Sequence, residues 1–226
     1  MQFCSMTLKA VIFDMDGLLI DSEPHWREAG KETLAAYGKT LTNEQYNSST
    51  GLRTEEWIDH WFRFFQIDLD NSKTAVFTIL QKAIEKIALY AQPMPGINDI
   101  ISFFKQKDLR IGLATSSPVE LAHIVVQKLN LRNEIEVIAS AGELPYGKPH
   151  PLVYIDCARQ LGCSPVQCIA FEDSFNGMIA AKAARMKCVV VPAKEESGHI
   201  RWGAADIILN SLEEFNEDVF RKLISN

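Results

Sequence analysis

Phe13-Asp14-Met15-Asp16-Gly17-Leu18-Leu19-Ile20-Asp21 is the stretch on which the reading of this chain turns. It follows Ala10-Val11-Ile12, and the apolar run from Lys9 to Phe13 reads as a buried strand. Two carboxylates then stand two residues apart at the end of a strand that belongs in a core. Ionised carboxylates are costly to bury unless something pairs with them. On extended backbone, residues i and i+2 project to the same side. Asp14 and Asp16 therefore face one pocket, while Met15 points away. Gly17 suits a sharp departure from the strand.

Outward from this stretch the chain has two textures. From residue 95 onward, short apolar runs alternate with helical periodicity. Arg110–Ala114, Glu136–Ala139, Cys168–Phe171, Cys188–Val191 and Asp206–Leu209 are strand candidates. Between them, Ile97, Ile100, Ile101 and Phe104 make one helical face, and Leu121, Ile124, Val125 and Leu129 another. Ser211 is the expected N-cap of the last helix. Continuous rather than alternating apolar strands are those covered on both faces, and strand–helix alternation builds a parallel sheet. The fold class expected is α/β, a Rossmann-like parallel sheet flanked by helices.

Residues 24–90 contain no strand-like run. Trp57, Ile58, Trp61, Phe62 and Phe65 line one helical stripe, and Val76, Ile79, Leu80, Ala83, Ile84 and Ile87 a second. Pro93-Met94-Pro95-Gly96 marks the return to the α/β part. The expected organisation is an α/β core of residues 1–23 and 91–226, with a small all-helical domain of residues 24–90 inserted after the first strand.

Composition narrows the function classes. Hydrophobic residues are 47% of the 226, enough for a substantial core. A net charge of −6 argues against a broad electrostatic grip on nucleic acid or on an anionic membrane. Cys4, Cys157, Cys163, Cys168 and Cys188 form no C-x-x-C pair, and read as packed free thiols in a reducing compartment. MQFCSMTLK is too short and mixed for a signal peptide. No run approaches the roughly 20 apolar residues of a membrane span. A cytoplasmic protein, monomeric by default, is expected.

The other strand ends repeat the pattern of the first. Thr115-Ser116-Ser117-Pro118 offers hydroxyls and backbone amides just before a helix, a setting for an anion. Glu172-Asp173 follows the strand ending at Phe171, and Lys148 sits between Gly147 and Pro149 on an intervening loop. Ligands of open α/β sheets bind at the carboxyl ends of the strands. Four carboxylates, Asp14, Asp16, Glu172 and Asp173, cannot all stay ionised together without a cation, and hard oxygen ligands suit Mg²⁺. The lysine and the hydroxyls suit a phosphate.

These motifs resemble, in order and over the whole chain, those of the haloacid dehalogenase-like hydrolases. DMDGLLID matches the family's Asp-x-Asp motif, Thr115 its Ser/Thr motif, Lys148 in GKPHP its lysine motif, and Glu172-Asp173 in FEDSFNG its acidic motif. The helical insert resembles the small cap of the subgroup that holds β-phosphoglucomutase and the hexose and hexitol phosphate phosphatases. The resemblance implies a Mg²⁺-dependent phosphatase acting on small phosphorylated sugars. In it Asp14 is the nucleophile, and Asp16 the acid/base. The metal is held by Asp14, the main-chain carbonyl of Asp16 and Asp173, with Glu172 acting through water. Lys148, Thr115 and the amides near Met15 and Ser116 bind the phosphate. Thr50-Gly51-Leu52-Arg53 resembles the family's specificity loop, with Arg53 reaching the substrate or else standing at an exposed helix start.

The alternatives separate by residue. A β-phosphoglucomutase shares the scaffold. A dehalogenase lacks the second acid, and a non-catalytic module would have lost one of Asp14, Asp16, Lys148 or Asp173. His150 reads as a helix opener rather than an acid/base. Trp57 and Trp61 read as cap core rather than a sugar platform. Asp21 and Glu23, at the entry to the insert, read equally as hinge or as substrate-facing.

Overall fold

A computed structural model of the chain describes residues 8–225. Cys4 and the rest of the MQFCSMT segment lie outside the described residues. The first strand, β1 (Ala10–Phe13), is fully buried and lies at the middle of a six-stranded parallel sheet ordered β3-β2-β1-β4-β5-β6. The others are β2 (Arg110–Thr115), β3 (Val137–Ser140), β4 (Cys168–Glu172), β5 (Lys187–Val190) and β6 (Ile207–Ile208). The expected strands are present with their ends shifted by about a residue, as is usual for such boundaries. The continuous apolar runs are explained by helices on both faces.

The two faces differ in bulk. Val11, Phe13, Leu113, Ile169, Phe171 and Val189 point to one side. There Phe13 stacks on Phe171 at 5.0 Å and meets Phe104 edge-on at 6.1 Å. Each such ring contributes roughly 2–3 kcal/mol by burial. Ala10, Ile12, Ala114, Ala170 and Cys188 point to the other side, where smaller residues admit closer helices. A Cβ on Gly112 would stand 2.7 Å from Cys157 Sγ. Cys157, Cys163, Cys168 and Cys188 are buried and free, as expected.

Between β1 and β2 come α1 (Glu23–Ala35), α2 (Asn43–Ser48), α3 (Thr54–Phe65), α4 (Ser72–Tyr90) and α5 (Ile97–Gln106). The first four make an all-helical insert between β1 and β2, here named the cap. Trp57, Ile58, Trp61 and Phe62 of α3 are buried, as are Ala75, Ile79, Ala83 and Ile87 of α4. Gly30 lets the Trp57 ring approach α1, since a Cβ there would meet Trp57 Cη2 at 3.0 Å. The two strands of chain joining cap to sheet are tied to each other. Asp21 N donates to Gln92 O at 2.8 Å, and Met94 N to Leu19 O at 3.1 Å. The helices α6 (Val119–Lys128), α7 (Leu152–Gln160), α8 (Phe175–Ala183) and α9 (Glu217–Ser225) complete the chain. Among the described residues no helix is long and apolar enough to cross a membrane.

One capping expectation is corrected. Ser211 does not open the last helix. Its side chain caps the short 3-10 turn Leu212–Glu214. Asn216 Oδ1 accepts the first amides of α9, from Asp218 and Val219, at 3.1 Å each. Asn is as good an N-cap as Ser, and it stands nearer the apolar periodicity.

Candidate active site

The chain runs β1 to β3 on one side of the sheet, then crosses to β4 on the other side of β1. The carboxyl ends of β1 and β4 thus flank the switch point where open α/β sheets bind ligands. Asp14 follows β1, and its amide still donates to Phe171 O at 2.9 Å, which holds it in register with Glu172 and Asp173.

Lys148 is the buried cation of the site, 1% exposed. Its ammonium donates to Asp14 Oδ1 at 2.5 Å, Glu172 Oε1 at 2.6 Å and Ala114 O at 3.0 Å. Three acceptors use all three of its protons. Burial by itself would lower the Lys148 pKa, but the charges of Asp14 and Glu172 outweigh it and raise it. The Lys148–Pro149 peptide is cis. His150 Nδ1 accepts the Leu152 amide at 3.2 Å, so it opens α7 as expected.

Glu172 is inaccessible and fully engaged. Oε1 also accepts from Tyr154 Oη at 2.6 Å, and Oε2 accepts from Ser174 N at 3.2 Å and Ser174 Oγ at 3.0 Å. It sits under the first turn of α8, where a Cβ on Gly177 would stand 1.8 Å from Oε1. Glu172 thus accepts two hydrogen bonds from the protein at each oxygen. Its direct partner is Lys148.

One ligand atom each from Asp14, Glu172 and Asp173 lies within 4.8 Å of the others. Burial raises the pKa of Asp14, with Lys148 opposing. Burial also raises Asp173, and the charges of Asp14 and Glu172 add to it. No hydrogen bond engages Asp173 among the described residues. Gly17, at φ +73°, brings the main chain against this carboxylate, since a Cβ there would fall 2.1 Å from Asp173 Oδ2. Oxygen donors only, with more negative charge than one lysine offsets, fit a hard divalent cation.

The structure does not bring the Asp16 carboxylate into this cluster. Oδ1 accepts from Ser22 Oγ at 2.6 Å and from Trp26 Nε1 at 2.8 Å. Oδ2 accepts from Ser117 Oγ at 2.6 Å and lies 3.4 Å from Thr115 Oγ1. Hydroxyl and indole donors draw it away from the other acids. Only its main-chain carbonyl remains for a metal. The Met15 side chain is in the core, and its carbonyl accepts the Leu19 amide at 2.9 Å, locking the turn.

A cavity opens above these groups, floored by Asp14, Asp16, Asp173, Ser116 and Ser117 and roofed by the cap. Thr115 is inaccessible and turned towards Asp16 and the Ser117 amide, so it does not line this space. Ser116 does, and its Oγ donates to Gly51 O of the cap at 2.7 Å. Arg53 does not line it either. Its Nη1 donates to Ala141 O at 3.2 Å and Leu144 O at 2.8 Å, and its Nη2 to Glu56 Oε1 at 2.6 Å. Glu56 Oε1 in turn accepts the Gly147 amide at 3.2 Å. The expected substrate arginine is instead a clasp between cap and core, because three fixed acceptors match its fork.

Sequence reasoning missed Ser22, Trp26 and Tyr46, named Ser117 only within a run of hydroxyls suited to an anion, and assigned Trp57 to the cap core alone. Trp57 both packs in the cap and lines the cavity. Glu23 is resolved in favour of the cavity: burial and the neighbouring Asp16 charge push its carboxyl up to about 7, with Arg27 opposing. Nothing in the local spacing marks these residues, since they converge only when α1, α2, α3 and the loop after β2 meet over the end of β1.

A haloacid dehalogenase-like hydrolase family model matches residues 8–185. Hexitol phosphatase B of Escherichia coli (strain K12) is 41% identical over 206 residues, spanning 91% of this chain and 93% of that protein. Fructose-1-phosphate phosphatase YqaB of the same strain is 31% identical over 187 residues, spanning 80% and 95%. The crystal structure of β-phosphoglucomutase from Clostridium difficile superposes with a TM-score of 0.86 at 22% identity, covering 97% of this chain and 98% of that one. That likeness is one of fold.

Proposed function

The chain belongs to the haloacid dehalogenase-like hydrolases, and from that premise we propose that it is a Mg²⁺-dependent phosphatase of small sugar phosphates of the hexose or hexitol type. The observation that carries this reading is Asp14. It is a carboxylate at the switch point, gripped at one oxygen by buried Lys148 and lining a capped cavity beside Asp173. The likeness to phosphatases of hexitols and of fructose 1-phosphate supports the substrate class.

Asp14 attacks phosphorus, the bond from phosphorus to the sugar oxygen breaks, and an aspartyl-phosphate forms on Asp14. Asp16 protonates the departing oxygen. It then takes a proton from the water that attacks the aspartyl-phosphate, and inorganic phosphate leaves with Asp14 restored. Trp26, Ser22 and Ser117 hold Asp16 for both transfers. Lys148 orients Asp14, and Glu172 orients Lys148. Ser116 and the amides around it meet the phosphoryl group. The carboxylates of Asp14 and Asp173 and the Asp16 carbonyl would hold Mg²⁺, which supplies positive charge to the phosphoryl oxygens. The helical cap, read as residues 24–90, excludes bulk water.

A phosphate-release screen over hexose, hexitol, pentose and nucleoside monophosphates, with and without Mg²⁺, tests the reading. Turnover should be greatest on hexose or hexitol phosphates, require Mg²⁺ and vanish in Asp14→Asn. Near-normal turnover by Asp14→Asn would overturn the assignment. The mutase alternative rests on the shared scaffold. Conversion of β-glucose 1-phosphate to glucose 6-phosphate, primed by the 1,6-bisphosphate and without phosphate release, would favour it.

A further inference from the structure

The roof of the cavity carries information that the floor does not. Its side chains include Glu23, Trp26, Tyr46, Leu52, Trp57 and Ile79, and among the described residues no lysine, arginine or histidine lines the space. The cations nearby are committed elsewhere. Lys148 is spent on Asp14, Glu172 and Ala114 O. Arg53 is spent on Ala141 O, Leu144 O and Glu56. Arg27 stands over the Tyr46 ring, 4.4 Å from its centroid, and donates to Asn43 Oδ1 and Asn47 Oδ1.

Polar groups in the roof are left over. Among the described residues, no hydrogen bond engages the Glu23 carboxyl, the Tyr46 hydroxyl or the Trp57 indole N–H. Tyr46 and Trp57 are buried as residues and line the cavity with Glu23. Their free polar atoms are reached from the cavity, where a ligand can pair them. The three offer an acceptor, a donor–acceptor and a donor, the mixture that hydroxyl groups match. Around them the Trp26 and Trp57 rings give flat apolar area suited to the C–H faces of a carbon chain.

We propose that the roof recognises an uncharged polyhydroxylated chain, with Glu23 as the hydroxyl acceptor that sets specificity, and that the cavity excludes substrates bearing a second anionic group. This deepens the phosphatase reading and rests on it. The phosphate at the floor would meet the cation proposed between Asp14 and Asp173. A carboxylate or second phosphate at the roof would meet Glu23 and Asp16 with no cation lining the cavity, since Arg27 is engaged by Tyr46, Asn43 and Asn47. The excluded class comprises sugar bisphosphates and phosphorylated sugar acids. The accepted class comprises monophosphates of alditols and neutral sugars.

Glucitol 6-phosphate and 6-phosphogluconate make the cleanest pair, since they differ in one terminal group, a hydroxymethyl against a carboxylate. With the full chain and Mg²⁺, kcat/KM should favour the alditol phosphate by about a hundredfold. In Glu23→Gln that ratio should shrink by about tenfold, chiefly through a higher KM for the alditol phosphate. Tyr46→Phe keeps the ring, and should raise the KM for the alditol phosphate about threefold. Equal turnover of the two substrates by the wild type would overturn the inference while leaving the hydrolase reading standing. So would an unchanged ratio in a folded Glu23→Gln. Should that variant not fold, the wild-type ratio and the Tyr46→Phe KM decide. Absence of phosphate release from every monophosphate would instead end the hydrolase reading, and this inference with it.

Discussion

Trp26 donates its indole N–H to Asp16 Oδ1 at 2.8 Å, so the first helix of the cap holds the carboxylate proposed as the acid/base of the core. Among the described residues that carboxylate has no basic partner. Its orientation depends on Trp26, Ser22 and Ser117. Misplaced by a fraction of an ångström, it loses the leaving oxygen.

Trp26→Phe keeps the apolar body and removes the donor. We expect kcat on a sugar phosphate to fall about tenfold, with KM little changed. On p-nitrophenyl phosphate, whose leaving group needs less protonation, the loss should be smaller. Equal losses on both substrates in steady-state assays would show that Trp26 acts on something other than proton transfer.

Lys148 concerns stability as well as chemistry. Lys148→Met would strand the Asp14 and Glu172 carboxylates in a buried site, and removing one partner of such a group costs about 3–5 kcal/mol. Adding Glu172→Gln should return part of that loss, because a neutral amide needs no counter-charge. Chemical denaturation of the single and double variants measures both steps. Turnover should be lost in both. A double variant no more stable than Lys148→Met would mean that Glu172 owes nothing to the lysine.

The sheet was legible in the sequence because its strands are apolar on both faces, and Val11, Phe13, Ile169 and Phe171 look the same whichever helix covers them. The floor of the site was legible for a related reason. Asp14, Thr115, Lys148, Glu172 and Asp173 follow strands or flank a Gly/Pro loop, and topology alone gathers their chain positions. The direction of the side chains was not legible. Asp16 turns towards Trp26, ten residues on, while Thr115 turns towards Asp16 and Arg53 towards Leu144 O through contacts between residues far apart in the chain. The roof was hidden for the same reason. Trp57 sits in an amphipathic stripe that reads as core whether or not one ring edge faces a cavity.

Gly17 links backbone conformation to the proposed metal site. It holds φ +73°, and an added methyl would fall 2.1 Å from Asp173 Oδ2. Gly17→Ala should therefore displace Asp173, and strain the turn as well. The expected result is a protein that folds with a lower Tm and no longer gains stability on adding Mg²⁺. Differential scanning fluorimetry across a Mg²⁺ titration reads this directly. A shift as large as that of the wild type would separate Gly17 from the cation site.

Glu23 makes the metal-free protein sensitive to pH. Its ordinary value is 4.5 and its folded value about 7. Between these, the unfolded chain has released the proton and the folded chain keeps it, so folding takes up a proton. Stability contributed by this group is then present below pH 4.5 and is lost as pH rises through 7. Asp14 and Asp173, also raised, act with the same sign. In EDTA, Tm should fall over this window, and Glu23→Gln should flatten part of the slope. A slope identical in the two proteins would count against Glu23 keeping its proton in the folded state.

Arg53 distinguishes a clasp from a substrate ligand. Its guanidinium makes two hydrogen bonds to core carbonyls and one to Glu56, and its buried Nε has no partner. Arg53→Ala removes the connection to Ala141 and Leu144 and frees Glu56, which otherwise holds the Gly147 amide. The loop carrying Lys148 is then tied to the cap at fewer points. We expect a loss of about 1–2 kcal/mol in stability. Amide exchange should quicken around residues 141–147, and kcat/KM should fall by a similar factor for every sugar phosphate, because closure rather than recognition is impaired. Hydrogen exchange by mass spectrometry and a substrate panel check the two halves. A loss confined to substrates with a second phosphate, with exchange unchanged, would return Arg53 to the substrate-binding role that its sequence position suggested.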